Sequence, residues 1–217
     1  MKQVNNAVDL NKYKVWILDF DGTLYYQFPV RVMMGIWLTV YFFLHPLRIK
    51  EVFIIFEYRK LRENMFGAVL NDVNLSDMLI KKLSDKYNLE TKDILNTVKS
   101  WLETKPCHFI HKWQRKKLIR AIQGYQKKGV QMVVYSDNPL SEKVKALSFT
   151  PDFSFDSDHE LIKCLKPNTQ GIDSIVKLLG EEKKKYLYIG DRDDRDGVCA
   201  KSAGIKYFDV NEFVKQL

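Results

Sequence analysis

The sequence predicts an α/β protein built around a parallel β-sheet. Apolar runs at 14–20, 130–135 and 185–189 have the length and composition of buried strands, and each ends at a group of polar residues. Segments with helical periodicity separate these runs along the chain. Because parallel strands must be joined by crossover connections, the alternation indicates a parallel sheet with right-handed crossovers.

The part of the chain that follows the first predicted strand, at 14–20, has a different character. Residues 28–105 contain no further strand-turn unit. Four helix-like stretches fill this part, at about 30–44, 47–66, 76–87 and 91–103. Pro46 separates the first two, and Asn74 and Glu90 stand where the last two begin. We therefore expect an all-helical insertion between the first and second strands.

The alternation of strands and helices returns in the second half of the chain. The predicted elements are a helix at 112–128, a strand at 130–135, a helix at 140–147, a short strand near 153–155, a helix at 168–179, a strand at 185–189, a helix at 196–203 and a last strand at 205–208. Gly129, Gly180 and Gly204 stand where helices of this series end, which is a usual position for glycine.

Composition and charge narrow the class of protein. The chain has 217 residues, 46% of them hydrophobic and 29% charged, with a net charge of +8. Its lysines occur in scattered pairs at the ends of amphipathic segments, which favours small anionic partners and argues against nucleic acid. Three widely spaced cysteines without a CxxC pair disfavour a disulfide framework and a zinc site. Since the N-terminal segment also lacks the apolar run of a signal peptide, we expect a cytoplasmic protein.

The longest charge-free stretch, 32–47, raises the question of membrane contact. Its sixteen residues are interrupted by His45 and Pro46. This is shorter than the ~20 apolar residues of a spanning helix, so we expect a buried helix. Aromatic side chains close to Arg48 and Lys50 leave a helix lying at a membrane surface as the alternative.

Carboxylates follow the first and third strong strands. Asp19 and Asp21 end the first strand, and Gly22 allows a tight turn whose backbone N–H groups can face an anion. After the third strand come four acidic residues in six positions, Asp191, Asp193, Asp194 and Asp196. Such closely spaced carboxylates repel one another unless a cation is bound. Ligands of open α/β sheets bind outside the carboxyl ends of the strands, so we expect the two clusters to converge on Mg²⁺, which prefers oxygen ligands.

Two further residues indicate phosphate binding only in combination with these carboxylates. Ser136 follows the second strand, where its hydroxyl and the next backbone N–H, of Asp137, could hold a phosphoryl oxygen. Lys166, in the sequence Leu165-Lys166-Pro167, offers a positive charge that could balance a nucleophile and a phosphate. Alone, either residue is ordinary turn or surface chemistry.

Four motifs in order carry a resemblance to a known family. They are Asp19-Phe-Asp21-Gly-Thr23, the strand-ending Ser136, Lys166-Pro167 and Gly190-Asp191 with acidic residues up to Asp196. This order resembles the haloacid dehalogenase-like hydrolase superfamily, over about residues 13–27 and 105–210. The resemblance implies a Rossmann-like parallel sheet with helices on both faces, formed by 1–27 and 105–217, and a mobile α-helical cap domain at 28–104.

The resemblance also implies roles for individual residues. Asp19 would be the nucleophile that forms an aspartyl-phosphate, and Asp21 the general acid/base. Mg²⁺ would be held by Asp19, the backbone carbonyl of Asp21, Asp191 and one of Asp196, Asp193 or Asp194. The substrate phosphate would be bound by Ser136, Asp137 and Lys166, with Gly22 and Thr23. Because family dehalogenases lack the second aspartate of the first motif, the implied activity is Mg²⁺-dependent hydrolysis of a small phosphomonoester.

Other functions fit the same residues. A phosphomutase would pass the phosphoryl group to a sugar hydroxyl, and a nucleic-acid phosphatase would exploit the positive charge. A non-catalytic membrane-surface or scaffolding protein would keep the fold and use the apolar stretch for attachment. If aromatic residues of the insertion are exposed, a substrate with an apolar tail becomes plausible. The sequence leaves the oligomeric state open.

Overall fold

The computed structural model describes residues 9–70 and 73–217. Residues 1–8 lie outside this description, and with them part of the segment on which the expectation of no signal peptide rests.

Strand β1 (Val15–Leu18) lies at the centre of a five-stranded sheet whose neighbouring strands all pair in parallel. The order is β3-β2-β1-β4-β5, with β2 at Gln131–Ser136, β3 at Phe153–Asp156, β4 at Tyr186–Gly190 and β5 at Lys206–Asp209. Leu18 pairs with both Val134 and Ile189, so the ends of the three central strands meet at one edge of the sheet. The predicted parallel α/β fold is confirmed.

Alternate residues of the central strand face two separate apolar layers. Trp16 and Leu18 pack beneath helices α6 (Lys116–Gln126) and α9 (Val210–Gln216). Val15 and Ile17 pack against the opposite layer. That layer contains α7 (Gln170–Leu179) and α8 (Val198–Ser202). Helices therefore cover both faces, which explains why the strands are continuously apolar rather than alternating.

One predicted helix of this half is wrong. At 140–147 the structure has turns and a short 3₁₀ helix, Val144–Ala146, instead of an α-helix. The Leu140 N–H donates to the Asp156 carboxylate at 3.1 Å, and Lys143 turns inward toward Asp21. The segment is thus shaped by contacts with the end of the sheet, which its amphipathic pattern does not reveal.

The described residues of the predicted insertion are mostly helical, but 64–70 form turns in which Val69 makes an antiparallel β-bridge to Cys164 of the core. The insertion comprises α1 (Gln27–Leu44), α2 (Lys50–Glu63), α3 (Leu75–Tyr87), α4 (Thr91–Val98), a π-helical segment (Lys99–Thr104) and α5 (Lys105–Ile110). Asn74 caps α3 by accepting from the Asp77 N–H, and Asn88 ends it in the left-handed conformation. Apolar residues of α2, α3 and α4, among them Ile54, form a core separate from those of the sheet.

Helix α1 is exposed along most of its surface. Its buried residues are Val30 and Phe42, and 11% of its apolar window is buried. The prediction of a buried helix at 32–47 is therefore wrong, because α1 packs on one side alone, where Phe42 stacks on Trp101. Within the described ranges, α1 is the one helix long and apolar enough to cross a membrane, by length and composition only.

Arg62, near the end of α2, joins the insertion to the sheet. Its buried guanidinium donates to the backbone carbonyl of Asp137 at 2.7 and 3.1 Å and to the Ser157 hydroxyl at 2.7 Å. It also lies 3.4 Å from the carboxylate of Asp158. Helix α2 is therefore held against the loops that follow β2 and β3.

Candidate active site

Three carboxylates meet at the carboxyl edge of the sheet. Asp19 follows β1, Asp191 follows β4, and Asp196 comes from the π-helical turn after it. One oxygen of each lies within 4.8 Å of the others. We call these three residues the carboxylate cluster; Asp19 and Asp196 are buried and Asp191 is partly buried. Strand register brings the first two together, because β1 and β4 are paired neighbours.

Lys166 lies against two members of this cluster. Its buried ammonium is 2.7 Å from Asp19 Oδ1 and 2.6 Å from Asp196 Oδ1. The hydroxyl of Tyr188 is a further partner at 3.2 Å. Burial lowers the pKa of Lys166, but the charges of Asp19 and Asp196 outweigh it and raise the pKa well above its usual value. Lys166 is therefore a permanent positive charge in the site.

One lysine does not neutralise the cluster. Burial, and then the charge of Asp196, raise the pKa of Asp19 well above its usual value despite Lys166. Burial and Asp196 likewise raise the pKa of Asp191 to about 6. Asp191 Oδ1 is buried and has no hydrogen-bond partner, which is costly unless a ligand supplies one. These features fit a bound cation between Asp19 and Asp191.

The other acidic residues of the loop after β4 face away from the cluster. Asp193 pairs with Lys201 at 2.8 Å, and Asp194 with Arg192 at 2.9 Å, both at the exposed surface. Asp196 alone of the three alternatives lies beside Asp191. Its oxygens are engaged by Lys166 and by the Arg192 N–H at 3.2 Å, so it holds the lysine as well as contributing charge.

Asp21 lies in the wall of the same cavity with three hydrogen-bond donors. The Tyr25 hydroxyl is at 2.5 Å, the Asn138 side-chain amide at 3.0 Å and the Lys143 ammonium at 3.2 Å. Burial raises the pKa of Asp21, but Lys143 and the donated hydrogen bonds outweigh it and hold the pKa below its usual value. Sequence reasoning missed Tyr25, Asn138 and Lys143. Two of them had a signal: Tyr25 lies four residues after Asp21, and Asn138 lies two residues after Ser136 in the polar group that follows the second strand.

Ser136 and Asp137, at the end of β2, line the cavity. The Ser136 hydroxyl accepts from the Asn138 N–H at 3.0 Å. The Asp137 carboxylate accepts from the backbone N–H of Lys166 at 2.9 Å, and burial raises its pKa. The Asp137 side chain thus positions the backbone of Lys166, while its carbonyl is occupied by Arg62.

Gly22 and Thr23 lie behind the carboxylates. The Thr23 hydroxyl donates to Asp19 Oδ2 at 3.0 Å, which leaves Asp19 fixed from both sides. Gly22 has a φ of +95°, and a Cβ there would lie 2.1 Å from Asp191 Oδ2. Both residues therefore act on Asp19 and Asp191 rather than line the cavity.

We expect Gly22→Ala to disrupt the site. The positive φ disfavours alanine, and the new Cβ displaces the Asp191 carboxylate, so stability should fall by about 1–3 kcal/mol and cation binding should weaken. Gly124→Ala is the matched control, because Gly124 lies in α6 with open space around it and alanine favours a helix. Denaturant unfolding and cation titration measure both effects. Equal stability of the two variants would contradict the expected clash.

The cavity above the carboxylate cluster has a volume of about 410 Å³. Asp19, Asp21, Ser136, Lys166 and Asp191 lie at one end of it. Helices α1 and α2 and the π-helical segment 99–104 contribute most of the remaining wall, together with Val98 of α4 and the loops after β2 and β4. A site of this size suits a small organic ligand whose polar group meets the carboxylates.

The parallel sheet and the carboxylate-lined crevice at its edge define a Rossmann-like α/β enzyme. The family model described as haloacid dehalogenase-like hydrolase matches residues 13–204, and the chain belongs to that family. Among curated proteins, no relative matches the sequence.

Solved structures show the same fold at low sequence identity. The 2-haloacid dehalogenase of Pseudomonas syringae pv. Tomato DC3000 has a TM-score of 0.61 and 15% identity over 90% of this chain and 85% of that one. The HAD-hydrolase YfnB of Bacillus subtilis, bound to magnesium, has a TM-score of 0.52 and 14% identity over 90% and 87%. A β-phosphoglucomutase-like protein of Thermotoga maritima has a TM-score of 0.52 and 15% identity over 90% and 84%.

Proposed function

We propose that this protein is a Mg²⁺-dependent phosphatase that hydrolyses phosphomonoesters through an aspartyl-phosphate on Asp19. The observation that carries the proposal is the second carboxylate, Asp21, in the cavity wall beside the nucleophile. An alkoxide leaving group needs a proton, and a positioned carboxyl group supplies it. A halide leaving group needs none, so the presence of Asp21 favours phosphoester chemistry.

The reaction proceeds in two steps. A carboxylate oxygen of Asp19 attacks phosphorus, the ester P–O bond breaks, and the leaving oxygen takes a proton from Asp21. Asp21 then takes a proton from water, whose oxygen attacks the phosphorus of the aspartyl-phosphate. The bond between phosphorus and Asp19 breaks, and inorganic phosphate leaves. Dividing the reaction in this way replaces one difficult step by two easier ones.

The low pKa of Asp21 suits the second step, in which Asp21 acts as a base. In the first step Asp21 must carry a proton, and a bound substrate favours that form. Lys143 and two neutral donors, Tyr25 and Asn138, keep Asp21 ionised, as a base must be. The negative charge of a bound phosphomonoester raises the pKa of a neighbouring carboxyl. Substrate binding therefore shifts Asp21 toward the protonated form that the leaving oxygen requires.

The chain's residues suit Mg²⁺, which binds through oxygen ligands. Asp19, Asp191 and the backbone carbonyl of Asp21 would hold it, with Asp196 nearby, and all are oxygen ligands. When bound, Mg²⁺ supplies positive charge against the phosphoryl oxygens. Lys166 supplies a second positive charge, and Ser136 offers its hydroxyl to a phosphoryl oxygen. We also propose that 28–104 acts as the cap over a core of 1–27 and 105–217.

The experiment is a substrate panel with and without Mg²⁺, run beside Asp19→Asn. It contains p-nitrophenyl phosphate, alkyl and sugar phosphates, glucose 1-phosphate with its 6-phosphate assayed as product, and 2-chloropropionate. Mg²⁺-dependent phosphate release that Asp19→Asn abolishes supports the proposal. Chloride release from 2-chloropropionate would replace it with dehalogenation, and glucose 6-phosphate without free phosphate would replace it with a phosphomutase. No turnover at all would favour a non-catalytic role.

Mg²⁺ binding should depend on pH because Asp191 has a pKa raised to about 6. Below that pH the cation must displace a proton, so its affinity should fall by up to about tenfold per pH unit. Calorimetric titration from pH 5 to pH 8 measures this dependence. Asp194→Asn, in the same loop but exposed, should keep the wild-type curve, and Asp191→Asn should bind weakly at every pH. A wild-type affinity that stays constant over this range would contradict the assignment.

A further inference from the structure

The cavity does not end at the carboxylate cluster but continues between α1, α2 and the π-helical segment. This far part, which we call the apolar wall, is formed by Met34, Leu38, Ile55, Val98, Trp101 and Leu102. Ile55, Val98 and Trp101 are buried and the other three are partly buried. The wall therefore offers a substrate apolar contact on several sides.

The wall offers few groups that could recognise a sugar. Its residues are aliphatic apart from Trp101, whose indole N–H lies 3.4 Å from Glu51, outside the cavity. Three charged residues of α2 line the cavity: Arg62 is engaged by the loops after β2 and β3, Glu63 is paired with Arg192 and Arg195, and Arg59 is exposed to solvent. Hydroxyl groups placed against this wall would lose their hydrogen bonds to water without replacement.

We infer that the substrate is a phosphomonoester whose alcohol carries an extended apolar group, such as an alkyl or prenyl chain. The inference rests on the proposed phosphatase activity. The phosphate meets Lys166 and the carboxylate end, and the chain lies along the apolar wall. Each methylene group transferred from water to such a wall strengthens binding by about two- to fourfold.

A homologous series of n-alkyl phosphates, from ethyl to octyl, tests this inference. The expected result is a kcat/KM that rises with chain length, with octyl phosphate preferred over glycerol phosphate and glucose 6-phosphate. Leu38→Asn should lower the octyl-to-ethyl ratio of kcat/KM by at least about tenfold. Leu95→Asn is the matched control, because Leu95 is an exposed leucine of α4 outside the cavity, and it should keep the ratio.

The outcomes separate the inference from the function on which it rests. Hydrolysis that is flat along the series, or faster for sugar phosphates, overturns the apolar substrate and leaves the phosphatase standing. No hydrolysis of any phosphomonoester overturns both. Inhibition of the wild-type enzyme by octylphosphonate and not by ethylphosphonate would show that the apolar wall binds an alkyl chain. This test remains available if Leu38→Asn fails to fold.

A second inference comes from the outer surface of α1. Six exposed apolar side chains of α1 share one face by helical spacing: Phe28, Val32, Ile36, Val40, Phe43 and Leu44. Leu47, in the 3₁₀ turn Pro46–Arg48 that follows, adds a seventh exposed apolar side chain at the end of this face. We call this face the exposed stripe. Phe28 is 78% exposed, Phe43 84% and Leu47 96%. Ile49 and the α2 residue Phe53 are also exposed apolar residues near this surface in the sequence, and a patch of this kind marks an interaction site.

Basic residues predominate beside the C-terminal end of the exposed stripe. No acidic residue occurs between Asp21 and Glu51 in the sequence. Arg48 and Lys50 are exposed at the C-terminal end of the stripe, where Arg48 also pairs with Glu51, whereas Arg31 lies on the cavity side of α1. The chain as a whole carries +8. Apolar side chains flanked by basic ones match the surface of an anionic bilayer, with an acyl layer beneath negative headgroups.

The position of α1 indicates surface contact rather than a transmembrane span. Its start is tied by the Tyr26 N–H to the Trp113 carbonyl at 2.9 Å, and its end by Phe42 stacked on Trp101. Both ends therefore belong to the same folded body. We propose that the exposed stripe rests on an anionic membrane, with α1 parallel to the bilayer plane.

Sedimentation with vesicles tests the membrane contact. The protein should bind vesicles of equal parts phosphatidylcholine and phosphatidylglycerol, and binding should weaken with salt and on pure phosphatidylcholine. Phe43→Ser with Leu47→Ser should lower the affinity at least about tenfold. Leu178→Ser, at a leucine of α7 that is 48% exposed, is the matched control. Absence of vesicle binding overturns the proposal, and a dimer in light scattering that the double variant dissociates would assign the stripe to a second copy instead.

Discussion

Asp21→Asn should release a single stoichiometric burst of p-nitrophenol from p-nitrophenyl phosphate and then stop. The nitrophenolate leaving group needs no proton, so Asp19 can still be phosphorylated. The asparagine cannot activate water, so the aspartyl-phosphate accumulates. With alkyl phosphates, whose leaving oxygen does need a proton, we expect kcat to fall about 10²–10⁴-fold. Quenched-flow kinetics and intact-protein mass spectrometry measure the burst and the added phosphoryl group.

Asp85→Asn provides the control for this substitution, because Asp85 is an exposed aspartate of α3. It should turn over both substrates like the wild type. Sustained turnover of p-nitrophenyl phosphate by Asp21→Asn would show that another group activates water. An equal loss on both substrates without a burst would show that Asp21 acts before the nucleophile is phosphorylated.

Lys166→Met should destabilise the protein by about 3–5 kcal/mol, because it removes one partner of a buried charge network. Asp19 and Asp196 then face each other without the ammonium 2.7 and 2.6 Å away. Lys166 lowers the pKa of Asp19, so its loss raises that pKa further. A carboxyl group whose pKa is higher in the folded protein than in the unfolded protein destabilises the fold only at pH values at which it is ionised. The difference from wild type should therefore shrink as the pH falls toward 4.

Urea unfolding at several pH values measures this loss. Lys145→Met is the matched control, since Lys145 forms an exposed pair with Glu142 and should change stability by less than about 1 kcal/mol. A loss for Lys166→Met that is small, or that grows as the pH falls, would contradict the charge network. Activity should disappear in Lys166→Met and persist in the control.

The sheet could be predicted from the sequence because its signals are local. Runs such as 130–135 are apolar throughout, which is typical of a strand covered on both faces. The order of the strands places the carboxylates, since Asp19 and Asp191 follow paired neighbours. The helix expected at 140–147 is absent because the signals that shape this segment are not local. Its conformation depends on contacts with Asp156 and Asp21, which are distant in the sequence.

Motif residues of the site could be found from the sequence, but their neighbours could not. Lys143 lies 122 positions from Asp21 in the chain yet 3.2 Å from it in space. Nothing in its surrounding sequence distinguishes it from a solvated lysine. The same holds for Arg62, whose acceptors belong to loops after β2 and β3. The exposure of α1 could not be predicted from the sequence, because an apolar helix on the outside of a protein has the same composition as one inside.

The contacts of Arg62 limit how chimeras between this enzyme and related proteins can be built. Exchange of the helical insertion as a cassette would separate the arginine from its acceptors, the Asp137 carbonyl and the Ser157 hydroxyl. A chimera that receives α2 without Arg62 would lose the guanidinium from both acceptors, and the Ser157 hydroxyl would be left to donate to the Asp137 carbonyl at 3.0 Å. A functional chimera therefore needs Arg62 of α2 and the loops that follow β2 and β3 to come from the same parent protein. The smallest segment set that can be exchanged includes the ends of these two strands.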